Sequence, residues 1–440
     1  MKTYQKGLLV ALLVIGAGAF IYSQTRMRES LPVVSPAVPA QPVESATTSA
    51  PIVLPQATEQ DIDAVIIGNN AFAFDLYDRL AGENQNLFFS PYSLDSAFAM
   101  VYEGARGATA GQIGAVFGFP AASTVREPAF KALNAGLNQP NSTYALSVAN
   151  ALWLQKDFAL LPSYTDVVSQ VYGGKASLVD YVSDPQSAVD TINAWSALQT
   201  HDKIPEILTL AHVNNDTRLV LTNAVYFKGT WKSPFDKSAT HTAHFNVGGS
   251  HKTPPTGDVQ MMEQNDHFSY AETDSLQALE MPYEGDKLAM LVLLPKATDG
   301  TESIEKGLSS DSLSAIRSHM TRREVDISFP KFTFSTSYTL NDDLKALGLV
   351  DAFSDAADFS GIVAPNQGGL TISTVIHKAY IAVDEQGTEA AAVTAIVAVG
   401  TSAMVDPLPP VTFTADHPFI FIIEDVQNGN ILFIGRVDEP

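Results

Sequence analysis

The segment Asp384-Glu-Gln-Gly-Thr-Glu-Ala-Ala-Ala-Val-Thr-Ala-Ile-Val-Ala-Val-Gly-Thr-Ser-Ala403 lies between two apolar stretches that read as strands and contains no Lys, Arg or Pro. Surface connections usually carry polar residues, Pro and Gly. This one has the small and β-branched composition of a strand without a partner. Left exposed, such a segment invites edge pairing and aggregation, so a protein that keeps it is expected to use it. Side chains alternate along a strand. Counted from Thr388, one face carries Thr388, Ala390, Ala392, Thr394, Ile396 and Ala398. That face is small and uncharged, and can be buried without stranding an ion. The other carries Glu389, Ala391, Val393, Ala395, Val397 and Val399, which leaves the carboxylate of Glu389 free to reach water. The next proline is Pro407, so every amide before it can join a ladder.

Working outward, Asn86-Leu-Phe-Phe-Ser-Pro-Tyr-Ser93 is followed by Gly104-Ala-Arg-Gly-Ala-Thr109, and Asn223-Ala-Val-Tyr-Phe-Lys-Gly-Thr-Trp231 by Pro234-Phe235. The C-terminal end carries Asp416-His-Pro-Phe-Ile-Phe421 and Ile431-Leu-Phe-Ile-Gly-Arg436. With Glu385-Gln-Gly-Thr-Glu-Ala-Ala-Ala392, these blocks resemble, in order, four regions of the serpin family: the segment around helix B, the central strand of the large sheet, the hinge of the reactive-centre loop and the C-terminal strands. The resemblance spans residues 61–440. It implies an α+β fold with three β-sheets, eight or nine helices and an exposed reactive-centre loop. It also implies irreversible inhibition of serine proteases: the loop is cut as a substrate, an acyl-enzyme forms, and the freed loop inserts into the large sheet before deacylation. Such an inhibitor must be metastable before the cut.

The resemblance further assigns roles. Glu385, Gly387, Thr388, Glu389, Ala390, Ala391 and Ala392 correspond to the hinge. Family spacing places the reactive bond between Thr401 and Ser402. The stretch from Thr401 to Pro418, through Ala-Met-Val-Asp-Pro-Leu-Pro-Pro, is longer than in many members and leaves room for a shifted cut, for example after Met404. His377, in the apolar run Ile372-Ser-Thr-Val-Ile-His-Lys378, corresponds to a buried histidine that meets an asparagine, here Asn223, and two serine hydroxyls, here Ser90 and Ser93. Such a cluster can latch two strands and re-pair when another slides between them. Trp231 corresponds to a tryptophan at the top of the sheet, where the loop enters. Glu385 and Lys331 correspond to an ion pair at the same point, expected to be exposed and to contribute about 0–1 kcal/mol. No Lys or Arg occurs between Lys378 and Arg436. A trypsin-like protease needs a cation for its acidic pocket, so elastase-like or subtilisin-like targets are expected.

The 440 residues carry 26 Lys and Arg against 48 Asp and Glu, a net charge of −22, with 45% apolar residues and no cysteine. The charge argues against nucleic acid and anionic lipid, and suits solubility. Without cysteine there is no disulfide or thiol nucleophile. Lys2 and Lys6 precede the apolar run Gly7–Tyr22, and Ala17-Gly-Ala19 supplies small residues for cleavage. Residues 1–22 therefore read as an export signal, or as an N-terminal anchor if uncleaved. Residues 23–60, rich in Pro, Ala, Val, Ser and Thr, read as a linker, and 61–440 as one domain. Secretion or a periplasmic location follows, with membrane anchoring as the alternative.

Ile62, Val65, Ile66, Asn69, Ala73, Leu76, Tyr77 and Leu80 form a helical stripe that Gly82 is expected to end. Ser90-Pro91 fits a helix start. Leu288–Leu294 reads as a strand buried on both faces, and Asn428-Gly429 as a tight hairpin between Phe419–Ile423 and Ile431–Ile434. No Gly-x-Ser-x-Gly, His-Glu-x-x-His or phosphate-binding glycine motif is present, which disfavours an enzyme. His241, His244 and His251 approach metal spacing but lack carboxylate or thiolate neighbours, and a solvated hairpin is expected there. No metal or cofactor is expected. The resemblance implies a serine protease as the partner, held as a covalent acyl complex, with cysteine proteases as a second class of target and a monomeric inhibitor as further expectations. The competing reading is a non-inhibitory serpin acting as a carrier. Bulky, charged or Pro residues at 388–394 would favour it, and this chain has mostly Thr and Ala there.

Overall fold

The computed structural model describes residues 50–82, 85–137, 143–246, 256–365, 367, 369–388 and 408–440. Residues 1–49, the histidine at 251, hinge residues Glu389, Ala390, Ala391 and Ala392, and the bond Thr401–Ser402 lie outside these. Residues 50–440 form one compact unit.

The first helix, Glu59–Leu80, starts at a reciprocal cap in which Asp61 N–H donates to Thr58 Oγ1 and Thr58 N–H to Asp61 Oδ2. Its buried face follows the expected stripe from Val65 to Tyr77 and adds Gly68 and Phe72, with Ile62 and Leu80 half-buried at its ends. The one polar residue in the stripe is paired, not exposed: Asn69 Nδ2 donates to Asn430 Oδ1 at 2.7 Å and to Ile431 O at 2.9 Å. The helix ends at Ala81 in ordinary right-handed geometry. The stop thus falls just before Gly82, as expected, although Gly82 itself is not left-handed. The second helix, Pro91–Gly104, starts as expected, with Ser90 Oγ accepting from Ser93 N–H and Pro91 in the first turn. It is buried nearly all round, the pattern of a central helix.

Nine α-helices occur among the described residues, with a nine-stranded and a six-stranded sheet. The expected three sheets appear with two of them fused through strand Thr256–Glu272. It pairs with His241–Asn246 and Thr321–Pro330 along most of its length, and with Leu276–Pro282 at its end. Leu288–Pro295 is buried at every position. The hairpin Phe419–Asp425/Asn430–Val437 turns through four residues, with Gly429 at φ 72° and its N–H on Asp425 O at 2.7 Å. Only the glycine, not Asn428, takes the left-handed conformation.

The six-stranded sheet runs Phe332–Thr339, Ile372–Asp384, Gly387–Thr388, Leu219–Thr230, Tyr144–Gln155, Lys175–Val179. Both faces are covered. Val375, Leu221, Leu152 and Phe227 join the main core with the second helix, whereas Ile376, Val220, Ala224 and Trp153 pack in a second core with helix Pro185–Gln199. Alternate residues of one central strand thus enter different cores, the period-2 rule applied to strands covered on both faces, whereas the edge strand Phe332–Thr339 exposes alternate residues.

Candidate functional site

Strands Ile372–Asp384 and Leu219–Thr230 run parallel, with Ile372 opposite Leu219 and, after a one-residue shift at Ser373, in direct register from Thr374 opposite Val220 to Tyr380 opposite Tyr226. Beyond Tyr380 they part. The chain turns at Glu385-Gln386 and returns as Gly387–Thr388, antiparallel to both: Val383 faces Thr388 and Asp384 faces Gly387 on one side, and Gly387 faces Thr230 and Thr388 faces Gly229 on the other. The first two residues of the loop are thus already a strand between the two.

Local chemistry dictates this. Gly387 has φ 151°, and a Cβ there would lie 1.9 Å from Gly229 O, so only glycine fits. The turn is held by Asp384 Oδ1, which accepts from Gln386 N–H at 2.8 Å. Trp231 N–H and Phe235 N–H donate to Gln386 O and Glu385 O, each at 2.8 Å. Trp231 Nε1 donates to Asp384 O at 3.1 Å, and its ring stacks on Tyr283 with centroids 4.6 Å apart. Tyr283 OH reaches the Thr388 hydroxyl at 2.7 Å. Thr388 is fully buried.

The Lys331–Glu385 pair is present, but is not the exposed pair expected. Lys331 Nζ lies 2.8 Å and 3.0 Å from the two Glu385 oxygens, and Thr240 Oγ1 donates to the same carboxylate at 2.8 Å. The Glu385 side chain is only 6% exposed. Burial alone would raise its pKa, but the hydrogen bonds from Lys331, the backbone and Thr240, with the Lys331 charge, outweigh that and hold the carboxyl below its ordinary value. Thr240 comes from the segment before strand His241–Asn246, so this carboxylate ties the sheet to a neighbouring element. His241 and His244 lie on that exposed strand.

Lower on the seam, His377 stands opposite Asn223, and Asn223 opposite Asn150 on the next strand. Ser90 N–H donates to His377 Nε2 at 3.1 Å, so the ring's proton sits on Nδ1 and is given to Asn223 Oδ1. Asn223 Nδ2 donates to Ser93 Oγ at 2.5 Å and to Asn150 Oδ1. Ser90 Oγ turns away, donating to Leu432 O at 2.7 Å. The structure therefore brings Ser90, Ser93, Asn223 and His377 together with one correction: His377 meets the Ser90 amide, and neither serine hydroxyl. Burial pushes the His377 pKa down to about 3, so the ring is neutral.

Two residues of the site escaped sequence reasoning. Asn150 interrupts an apolar strand as His377 does, and the same criterion would have found it. Tyr283 lies beyond the end of Leu276–Pro282 and meets Trp231 through ring stacking and an isolated bridge; no local pattern marks it.

The fold is thus a mixed sheet with a parallel central seam, entered at one end by a two-residue strand from the following segment. The comparisons name it: the chain belongs to the serpin family, whose model, described as serpin (serine protease inhibitor), matches residues 67–440. That is a family of inhibitors, not of catalysts. The chain is 40% identical over 437 residues to an uncharacterized serpin-like protein of Thermococcus kodakarensis, covering 98% of both chains. It is 40% identical to the human leukocyte elastase inhibitor over 84% of this chain and 98% of that one. A solved structure of Serpin48 from the insect Tenebrio molitor superposes with a TM-score of 0.77 at 31% identity, covering 88% of this chain and all of that one.

Proposed function

We propose that this chain is an irreversible suicide-substrate inhibitor of serine proteases, with elastase-like or subtilisin-like targets. The observation that carries this is the two-residue strand Gly387–Thr388. It fixes the direction of the loop as antiparallel to both neighbours, and it aims the rest of the loop down a seam that need only open. A protease serine attacks the Thr401 carbonyl, the bond to Ser402 breaks, and the Ser402 amine leaves with the proton. Residues 389–401, now an ester of the protease, follow Gly387–Thr388 into the sheet. The absence of any Lys or Arg from 379 to 435 supports the target class, as does the likeness to a leukocyte elastase inhibitor. Export through residues 1–22 and action as a monomer complete the proposal.

The test is a protease panel that includes elastase, subtilisin, trypsin and a papain-type enzyme. The expected result is a complex with elastase or subtilisin that survives boiling in SDS, and a released peptide starting at or within a few residues of Ser402. Cleavage without any stable complex favours the carrier reading. Potent trapping of trypsin through a bond outside 384–407 contradicts the target class.

A further inference from the structure

The outward face of the first helix, Glu59–Leu80, carries Ile67, Ala71, Phe74, Asp75 and Asp78, spaced as one helical stripe. Ile67 is apolar and β-branched, yet 70% exposed. Phe74 is half-buried against the main core, as are Leu308, from the turn after helix Thr301–Glu305, and Leu347, at the end of helix Asn341–Ala346. These three side chains floor a groove of about 550 Å³. Among the described residues, its lining includes none from the seam or from the loop.

The walls of this groove are tied to each other. Tyr77 OH donates to Glu305 Oε1 at 2.9 Å, and Arg436 Nη1 donates to the same oxygen at 2.6 Å. The cations of the lining are already engaged: Lys306 Nζ lies 2.6 Å from Glu302, and Arg79 Nη2 lies 3.7 Å from Asp343. Asp75, Asp78 and Asp311 complete the lining and have no ion-pair partner among the described residues. Asp78 stands in the last turn of its helix, at the negative end of the dipole, where a carboxylate is disfavoured. The groove therefore combines a preformed apolar floor with negative charge that the chain itself does not neutralise.

We propose that this groove docks a basic, amphipathic helix of a partner protein. Its main walls are helical, with their amides and carbonyls bonded internally, so the occupant must satisfy its own backbone, as a helix does. The stripe from Ile67 to Asp78 is about 16 Å long, at about 1.5 Å per residue, which matches about three turns of a partner helix. Apolar side chains at i, i+4 and i+7 of that helix lie over Ile67, Ala71 and Phe74, and Lys or Arg beside them meet Asp75, Asp78 and Asp311. A second copy of this chain is poorly suited to the groove. Its net charge is −22, and no described helix exposes more than one Lys or Arg. The docking site stands whether or not the loop inserts, because it uses no residue of the seam.

The test uses the full chain and a fluorescein-labelled probe peptide of leucine and lysine, about three to four turns long and patterned as an amphipathic helix. A peptide of the same composition with its order scrambled has equal charge and no apolar stripe. Binding is followed by fluorescence anisotropy at about 0.15 M salt. The combined variant Asp75→Asn, Asp78→Asn and Asp311→Asn should bind the patterned peptide about tenfold more weakly, and Ile67→Ser about threefold. A control variant that removes three exposed carboxylates elsewhere, Asp190→Asn, Asp274→Asn and Asp299→Asn, should stay within about twofold of the parent. Melting curves verify that each variant is folded. Equal weakening in the groove and control variants would mean that overall charge alone attracts the peptide, and would overturn the site. So would equal binding of the patterned and scrambled peptides, or no binding of either. Sedimentation of the chain alone addresses the remaining occupant: dimers that disappear in the groove variant would assign the groove to a second copy and overturn the basic helix.

Discussion

His377 is held neutral by burial, and this makes the latch sensitive to acid. Its folded pKa of about 3 lies below the ordinary histidine value of about 6.5. Between these values the unfolded chain binds a proton that the folded chain refuses, so stability is lost as pH falls from 6.5 toward 3. Between pH 6 and 4 this amounts to about 2–3 kcal/mol. Melting midpoints should fall over that range, and His377→Gln should remove about one proton's worth of the slope; equal slopes for both proteins would refute a titrating latch. Asp95, in the second helix, has the opposite sign. It is fully buried, and neither carboxylate oxygen has a hydrogen-bond partner among the described residues. Burial raises its pKa well above the usual value. Its cost is therefore absent below the unfolded pKa near 3.8 and grows as pH rises. Asp95→Leu should raise the midpoint at pH 7.5, by a margin that shrinks toward pH 4. A lower midpoint at both values would mean the carboxyl is satisfied. Thr388 is already packed against Tyr283 before any cut. Thr388→Arg must therefore expel the hinge as well as burden insertion with a buried charge, at a cost of several kcal/mol. The expected outcome is cleavage at the same bond with full recovery of protease activity, and undiminished complex formation would contradict it.

At the scale of elements, the inhibitory proposal makes the two-residue strand Gly387–Thr388 the seed of insertion. Gly387→Ala places a methyl against the Gly229 carbonyl and should remove the seed without adding charge. Insertion then starts with no rung formed, and the fraction of loop cuts that end in a trapped protease should fall several-fold. Amide exchange at Trp231, whose N–H is held by Gln386 O, should accelerate in parallel. An unchanged trapping ratio would show that insertion does not begin here. How far such elements are legible from sequence depends on the range of the contact that fixes them. Ser90-Pro91 and Leu288–Leu294 carry local signals, a capping hydroxyl before proline and an unbroken apolar run, and both form as read. Gly82 marks the stop of the first helix, which ends at Leu80, but without taking the left-handed conformation. Tyr283 and Asn150 are fixed by partners tens of residues away, and periodicity holds no trace of which partner that is. The family resemblance supplied the seam's location; the side that Ser90 presents to His377, and the burial of Glu385, needed the fold.

The whole molecule poses one question: whether its resting sheet is the most stable one available to it. The seam between Ile372–Asp384 and Leu219–Thr230 is a parallel ladder. An inserted strand continuing from Gly387–Thr388 would replace it with two antiparallel ladders, and antiparallel pairing is the slightly more stable per residue. The alternating face Thr388 to Ala398 would leave water without carrying a charge inward. His377 and Asn223 could each find a new neighbour on the arriving strand. Most proteins lose stability when a loop is nicked, because the cut frees chain entropy and adds no contact. The direct measurement is the melting midpoint of the intact chain and of the chain cut between residues 398 and 405, with the cut verified by mass spectrometry. A sharp rise in the cut form is the result predicted here. An unchanged or lower midpoint would mean that the loop does not enter the sheet, and that this serpin does not trap proteases by insertion.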